Sequence, residues 1–187
     1  MHKQQKFLLA IVLIGGVAVL GSYAWGILAI QNAAQILWGD VPAIIRSFST
    51  LGMFTGALGF FAYSFFILFK LNPDDTRIYS RFGYTIFNFL YIAILIPSAL
   101  WLPLTFLAVQ NNNSAVLWLA RLVLIVVAAA SILLLLALLF TQPRQPVWAY
   151  YLALVGSIFF CIQTVLLDAI LWGYFFGFGV ALTFLGI

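Results

Sequence analysis

The chain has 187 residues, of which 66% are hydrophobic and only 6% are charged. Soluble domains carry roughly a quarter charged residues, so this composition excludes a water-soluble fold and predicts an integral membrane protein. The net charge of +4 does not indicate nucleic acid binding, because the basic residues lie in short loops between apolar segments. We therefore expect one all-α membrane domain over residues 1–187, with the lipid bilayer as its solvent and no nucleic acid partner.

Five apolar segments are long enough to cross a bilayer as helices, which takes about twenty residues. The predicted spans cover about residues 7–30, 50–70, 84–109, 115–140 and 147–169. The first one also has the basic start and small-x-small ending, at Ala24, of a cleavable signal peptide. Its apolar run continues to Ile30, which favours an uncleaved first span.

The loop between the first two spans, residues 31–49, is apolar for a solvated connection. Its "ILWGDVPAII" predicts short helical pieces that lie on the bilayer surface, with Trp38 at the depth of the lipid headgroups. A plain lid over the helix bundle explains the same composition equally well.

The basic residues are distributed asymmetrically between the two sides of the predicted bundle. With the N-terminus inside, only Arg46 lies in an outer loop, and the cytoplasmic side holds Lys3, Lys6, Lys70, Arg77, Arg81 and Arg144. The positive-inside rule therefore predicts a cytoplasmic N-terminus in a multi-pass integral membrane protein, of the inner or plasma membrane if the source is bacterial.

The C-terminal part is not resolved by sequence patterns. A continuous helix from Val147 to Ile187 would extend about 60 Å, twice the thickness of the hydrocarbon core. Residues 170–187 therefore either break at the glycines of "LWGYFFGFG" into a short sixth span or re-entrant segment, or extend beyond the bilayer.

Small residues and prolines indicate how the helices pack. Gly52 and Gly56 form a GxxxG pair, which lets helices approach closely in lipid, either within the monomer or in a homo-oligomer.

Span three carries Pro97 and Pro103, in "IPSALWLPLTF". Its "WLPLTF" resembles the tryptophan-proline-phenylalanine cluster in the third span of the tryptophan-rich sensory protein/translocator family. The resemblance is confined to this segment, since the first loop lacks that family's proline- and tryptophan-rich stretch, and no site residue follows from it.

One charge, Arg121, lies inside span four. It falls ~9 Å below the predicted outer end of its helix, and Asp168 falls ~31 Å along span five, in the same half of the membrane. A carboxylate partner would offset the cost of an embedded guanidinium. The sequence thus predicts an Arg121–Asp168 pair beside an outer-side cavity. The candidate ligand-binding residues are Arg121, Asp168, Trp101, Trp25, Tyr23, Thr105 and Gln163. The alternative is an arginine that extends toward the headgroups beside Trp118, without a functional role.

Catalytic and metal-binding groups are scarce. The chain has no glutamate, one histidine and one cysteine, which argues against an enzyme and predicts neither a metal nor a cofactor. The leading hypothesis is a non-enzymatic protein that binds or passes a small lipophilic or amphipathic ligand in an outer-leaflet-side cavity. The alternative is an accessory or assembly subunit of a larger membrane complex without a ligand of its own, and a small transporter is less favoured because ionisable groups within the spans are few.

Overall fold

The computed structural model describes residues 1–176 and is built almost entirely from helices. Its longest helices are α1 (Lys3–Ala29), α3 (Ala43–Phe69), α4 (Thr85–Gln110), α5 (Ser114–Leu139) and a last composite helix (Val147–Phe175). All five are long and apolar enough to span a membrane, in agreement with the predicted all-α bundle and its five spans. Residues 177–187, where most of the predicted sixth or re-entrant segment falls, lie outside the described residues.

The last long helix changes its hydrogen-bonding pattern along its length. It begins as α6 (Val147–Cys161), continues as a π-helical segment (Ile162–Trp172) and ends with a single turn, α7 (Gly173–Phe175). It therefore extends beyond the end predicted near residue 169. A π-helix bonds residue i to residue i+5 and usually occurs as a single turn, so residues five apart face the same direction over an unusually long stretch here.

The region predicted as an outer loop, residues 31–49, is largely helical. It contains α2 (Ala33–Trp38), and α3 already begins at Ala43 instead of near residue 50. Short helical pieces, as predicted, are therefore present, whereas the predicted start of the second span was wrong because the polar "RSFST" belongs to α3 and not to the loop. In the structure, the hydroxyls of Ser47 and Thr50 donate to the carbonyls of Ala43 and Arg46, so these polar side chains are satisfied by the helix itself.

We call the end of the bundle that holds the N-terminus of α1 the proximal end, and the opposite end the distal end. The distal end holds the C-terminus of α1, α2 and the turn between α4 and α5. The proximal end holds the loops around residues 70–84 and 140–146, where β1 (Arg77–Ile78) pairs with β2 (Thr141–Gln142) in an antiparallel ladder. Charge counting predicts that the proximal end is cytoplasmic.

Glycines bring α3 close to the last helix. A Cβ atom at Gly59 would lie 2.2 Å from the carbonyl oxygen of Gly156, and one at Gly52 or Gly56 would meet the side chain of Gln163. The glycine stripe predicted from GxxxG therefore packs against another helix of the same chain.

Two apolar cores fill the bundle. The proximal core centres on α3, α4 and α5, with Tyr63, Phe66 and Tyr91 fully buried. The distal core centres on Trp101, Trp172 and the residues around them, and Tyr23 packs against it.

Candidate functional site in the distal half

Arg121 lies half-buried near the distal end of α5, and the structure gives its guanidinium few partners. The guanidinium lies over the indole of Trp118, with its Cζ atom 4.7 Å from the ring centroid. Nη2 donates to the backbone carbonyl of Phe176 at 3.0 Å, whereas Nε is buried and has no acceptor among the described residues. The side chain is thus held in place by an aromatic ring and one carbonyl, without an opposing charge in the described part of the chain.

Asp168 does not pair with Arg121, which corrects the prediction that the two form an ion pair. Across residues 1–176, the only side-chain contact short enough for an ion pair joins His2 to Asp74, at 3.5 Å. Asp168 instead accepts a hydrogen bond from Nε2 of Gln163 at 2.8 Å. The physical reason is the π-helical segment, which places residues five apart on one face and so pairs Asp168 with its own helix.

Gln163 is buried against α3. Its side chain fills the space above Gly52 and Gly56 on α3, and its Oε1 atom is buried without a partner in the described chain. The next residue, Thr164, bonds the hydroxyl of Ser131 on α5 at 2.8 Å. These contacts tie the π-helical segment to α3 and α5, and such interhelical hydrogen bonds contribute on average about 0.6 kcal/mol each in a membrane.

Aromatic side chains from four elements meet beside this polar group. In what we call the distal aromatic cluster, Tyr23 packs edge-on against Trp101 (ring centroids 6.2 Å apart), and Trp101 packs edge-on against Trp172 (5.3 Å). Trp172 in turn stacks on Phe176 at 4.4 Å and donates its indole N–H to the carbonyl of Leu37 at 2.9 Å. The cluster therefore connects α1, α4 and the end of the last helix to α2.

Two residues of the predicted set lie at the margin of this cluster. Trp25 is 48% exposed and contacts only the edge of Phe106, with ring centroids 6.3 Å apart. Thr105 is fully buried, but its hydroxyl donates to the carbonyl of Trp101 one turn earlier on the same helix. Trp25 thus lies on the surface that would face lipid, and the hydroxyl of Thr105 is occupied within α4.

The structure thus packs Tyr23 against Trp101, pairs Gln163 with Asp168, and joins Arg121 to the aromatic cluster through Phe176. Sequence reasoning missed the role of Trp172, the residue that joins these parts. A signal was present, since an indole N–H in an apolar segment requires an acceptor. Its acceptor, the carbonyl of Leu37, is 135 residues away in sequence, so no local pattern could identify it.

Two cavities stand out, and none of the seven predicted residues borders either one. A groove of about 370 Å³ between α1 and α4 is lined entirely by apolar residues, from Phe7 to Ala18 on one side and from Ile92 to Leu100 on the other. A second cavity, of about 340 Å³, lies at the proximal end between the two paired loops. The distal aromatic cluster itself is closely packed, with Trp101 and Trp172 both buried.

The chemistry available to the distal site is binding by charge and by aromatic surface. Within residues 1–176, no three His, Cys, Asp or Glu side chains converge on a point where they could hold a metal ion. No family model matches the chain, and no curated protein or solved structure matches it either. The function therefore has to be argued from the geometry.

Proposed function

We propose that this protein is a non-enzymatic, multi-pass membrane protein with a cytoplasmic N-terminus, and that it binds a small amphipathic anion at its distal side through Arg121. The observation that carries the proposal is the half-buried guanidinium of Arg121. Among residues 1–176 it has one carbonyl partner, a buried Nε without an acceptor, and no carboxylate within ion-pair distance. An arginine inside a membrane span costs at least ~2.5 kcal/mol near the bilayer centre, so intramembrane charges commonly mark a functional site.

A comparison with Arg46 supports this assignment. Arg46 is also half-buried at the distal end, but its Nε donates to the carbonyl of Val41 at 2.6 Å and its Nη2 to that of Gly39 at 3.0 Å. Arg46 therefore fastens the loop before α3 with the two nitrogens that bond its carbonyls. Arg121 leaves its buried Nε without an acceptor in the described chain, and an anionic head group would supply one in the planar geometry that a guanidinium prefers.

The ligand's apolar part would lie against the exposed aromatic and aliphatic side chains around Arg121. Trp118 is 65% exposed and Leu122 53% exposed, on the same side of α5 as the guanidinium stack. The expected ligand class is thus a carboxylate or phosphate joined to a hydrophobic body.

The test uses the purified full-length protein in a neutral detergent, with oleate as probe and oleyl alcohol as its uncharged counterpart. A ligand at a hundred times its Kd stabilises the folded state by about 2.7 kcal/mol, which corresponds to a rise in Tm of roughly 5–10 °C for a chain of this size. We expect oleate, but not the alcohol, to raise the Tm of the native protein and of Arg81→Gln, which removes an exposed charge at the proximal end. Arg121→Gln should abolish the rise.

The more conservative Arg121→Lys keeps the positive charge and guards against a general loss of folding. We expect it to bind oleate more weakly, because an ammonium cannot stack on Trp118 or bond a head group through two nitrogens as a guanidinium does. An equal oleate response in native protein and in a folded Arg121→Gln variant would refute the proposal.

A second candidate, the accessory-subunit function, is favoured by the position of α1. Only about 6% of the apolar stretch of α1 is buried against other helices, compared with 28% to 50% in the other four long helices. A helix partner seated in the groove between α1 and α4 would cover this surface. Ile14→Cys, in the groove, should then crosslink to another protein in native membranes, whereas Leu122→Cys on α5 should not. Equal crosslinking from both positions would indicate that the groove contacts lipid and not a specific partner helix.

A further inference from the structure

The proximal loops form a small clamp that the distal site does not use. The two-residue ladder places Arg77 opposite Gln142, and the backbone N–H of Tyr79 donates to the carbonyl of Phe140 at 3.2 Å. The loop after α3 and the loop after α5 are therefore joined by backbone hydrogen bonds, which fixes the positions of the side chains that project between them.

These side chains line what we call the proximal pocket, an open surface depression of about 340 Å³. Its lining combines two arginines, a hydroxyl, an amide and two aromatic rings: Arg77, Arg144, Ser80, Gln142, Tyr79 and Phe140. The lining contains no acidic residue. The volume is within the range of small-molecule sites, and the donors that face it are suited to an anion.

Neither arginine of the proximal pocket is neutralised by a neighbouring acid in the described chain. Arg77 makes only long contacts to the backbone carbonyls of Asp74 (3.4 Å) and Thr76 (3.3 Å), and no carboxylate forms an ion pair with it. Arg144 donates one N–H to the carbonyl of Leu139 and lies over the ring of Tyr150, with Cζ 5.2 Å from its centroid. Each guanidinium carries five N–H donors, so most of these remain available to a ligand.

The backbone at the mouth of the pocket adopts a costly conformation. Tyr79 and Ser80 have φ angles of 54° and 55°, in the left-handed region that residues other than glycine rarely occupy. Each such residue costs roughly 1–2 kcal/mol, and strain of this kind is concentrated at binding sites. Both residues line the pocket.

The aromatic residues locate the pocket at the depth of lipid headgroups. Phe140 directly follows the end of α5, and its ring packs edge-on against that of Tyr79 at 4.8 Å. Tyr79 is 68% exposed and Phe140 47% exposed. Exposed aromatic rings at the end of a membrane helix occupy the interface between hydrocarbon and water. A lipid whose acyl chains lie along α5 would therefore bring its phosphate to the two arginines.

We propose that the proximal pocket binds the phosphate of an anionic phospholipid headgroup, held by Arg77 and Arg144 with a hydrogen bond from Ser80. The arrangement goes beyond the general excess of basic residues on one side of a membrane protein, because it joins two distant loops into one cavity. Basic pockets at the ends of membrane helices bind such headgroups through their phosphates.

The experiment measures the Tm of the full-length protein in a neutral detergent, after addition of phosphatidylglycerol, of phosphatidylcholine or of inorganic phosphate. We expect phosphatidylglycerol to raise Tm by roughly 5–10 °C at a hundred times its Kd, and the other two to have little effect. The double variant Arg77→Gln/Arg144→Gln should lose this response. Arg81→Gln removes one charge from the same loop but does not line the pocket, so it should retain the response.

A second variant keeps both arginines and so separates binding from folding. Ser80→Asp introduces a negative charge at the mouth of the pocket, in a backbone conformation that aspartate tolerates, and should weaken the phosphatidylglycerol response at least tenfold in lipid concentration. If Arg81→Gln lowers the response as much as the double variant does, diffuse surface charge explains it and the proposal fails. An equal response to inorganic phosphate overturns the assignment to a lipid in favour of a soluble phosphate ligand.

Discussion

The contact between Gly59 and Gly156 should be the most sensitive point of the bundle to added volume. In Gly59→Ala, the new Cβ would lie 2.2 Å from the carbonyl oxygen and 2.9 Å from the carbonyl carbon of Gly156. Ordinary contact requires about 3.5 Å, so α3 and α6 would have to separate by roughly 1 Å along their interface. Both clashing atoms belong to the backbone, which cannot rotate away as a side chain can.

The size of the effect follows from two opposing contributions. Overpacking a close-packed interior typically costs 1–3 kcal/mol, and a backbone clash belongs at the upper end of that range. Replacing glycine by alanine within a helix returns at most about 1 kcal/mol through its higher helix propensity. We therefore expect a net loss of about 2 kcal/mol, which lowers Tm by roughly 4–8 °C in a chain of this length.

Gly16→Ala is the matched control, because a Cβ at Gly16 has no atom within 4 Å. The same substitution within a helix should then leave Tm unchanged or raise it slightly. The assay is thermal unfolding of the two variants in detergent, followed by circular dichroism. An equal Tm for Gly59→Ala and Gly16→Ala would refute the close packing of α3 against α6.

Three further outcomes are expected from contacts in the structure. Arg121→Ala and Asp168→Ala should change the free energy of unfolding additively, within about 0.5 kcal/mol in a double-mutant cycle, because the two side chains are not paired. A coupling energy above about 1 kcal/mol would show that they interact after all. Trp172→Phe removes the indole bond to the carbonyl of Leu37 and should speed amide exchange in α2 more than in α5, as measured by mass spectrometry. Gln5→Leu removes two bonds to carbonyls at the end of α3, and we expect faster tryptic cleavage at Lys3 and Lys6 in the first turns of α1. An unchanged rate would mean that packing against α4 is sufficient to anchor this helix.

The number and approximate position of the long helices could be predicted from the sequence because each requires about twenty consecutive apolar residues. Helix ends could not be predicted with the same accuracy. α3 begins at Ala43 because serine and threonine hydroxyls bond back to its carbonyls, so polar residues continue the helix instead of ending it. Hydropathy measures the polarity of a side chain but not where that side chain finds its partner.

The direction in which side chains face was harder to predict than their depth. Arg121 and Asp168 were placed in the same half of the bundle by counting residues, but depth alone does not determine which helix face carries each one. The count also assumed α-helical geometry throughout, whereas Asp168 lies in a π-helical segment that pairs it with Gln163. Likewise, strands of two residues such as β1 and β2 have no periodicity to detect, so the clamp at the proximal end gave no signal in the sequence.

The two half-buried arginines of the distal half show how the arrangement of acceptors separates a structural role from a binding role. Arg46 satisfies its Nε and Nη2 donors on loop carbonyls, so these hydrogen bonds are made within the fold. Arg121 leaves its buried Nε without an acceptor in the described chain, and an unpaired buried donor reduces the stability of the unliganded protein. An anion that binds Arg121 would recover part of this cost. Ligand affinity and thermal stabilisation should therefore fall together as the guanidinium is replaced, whereas changes at Arg46 should lower stability and leave the ligand-induced shift unaltered.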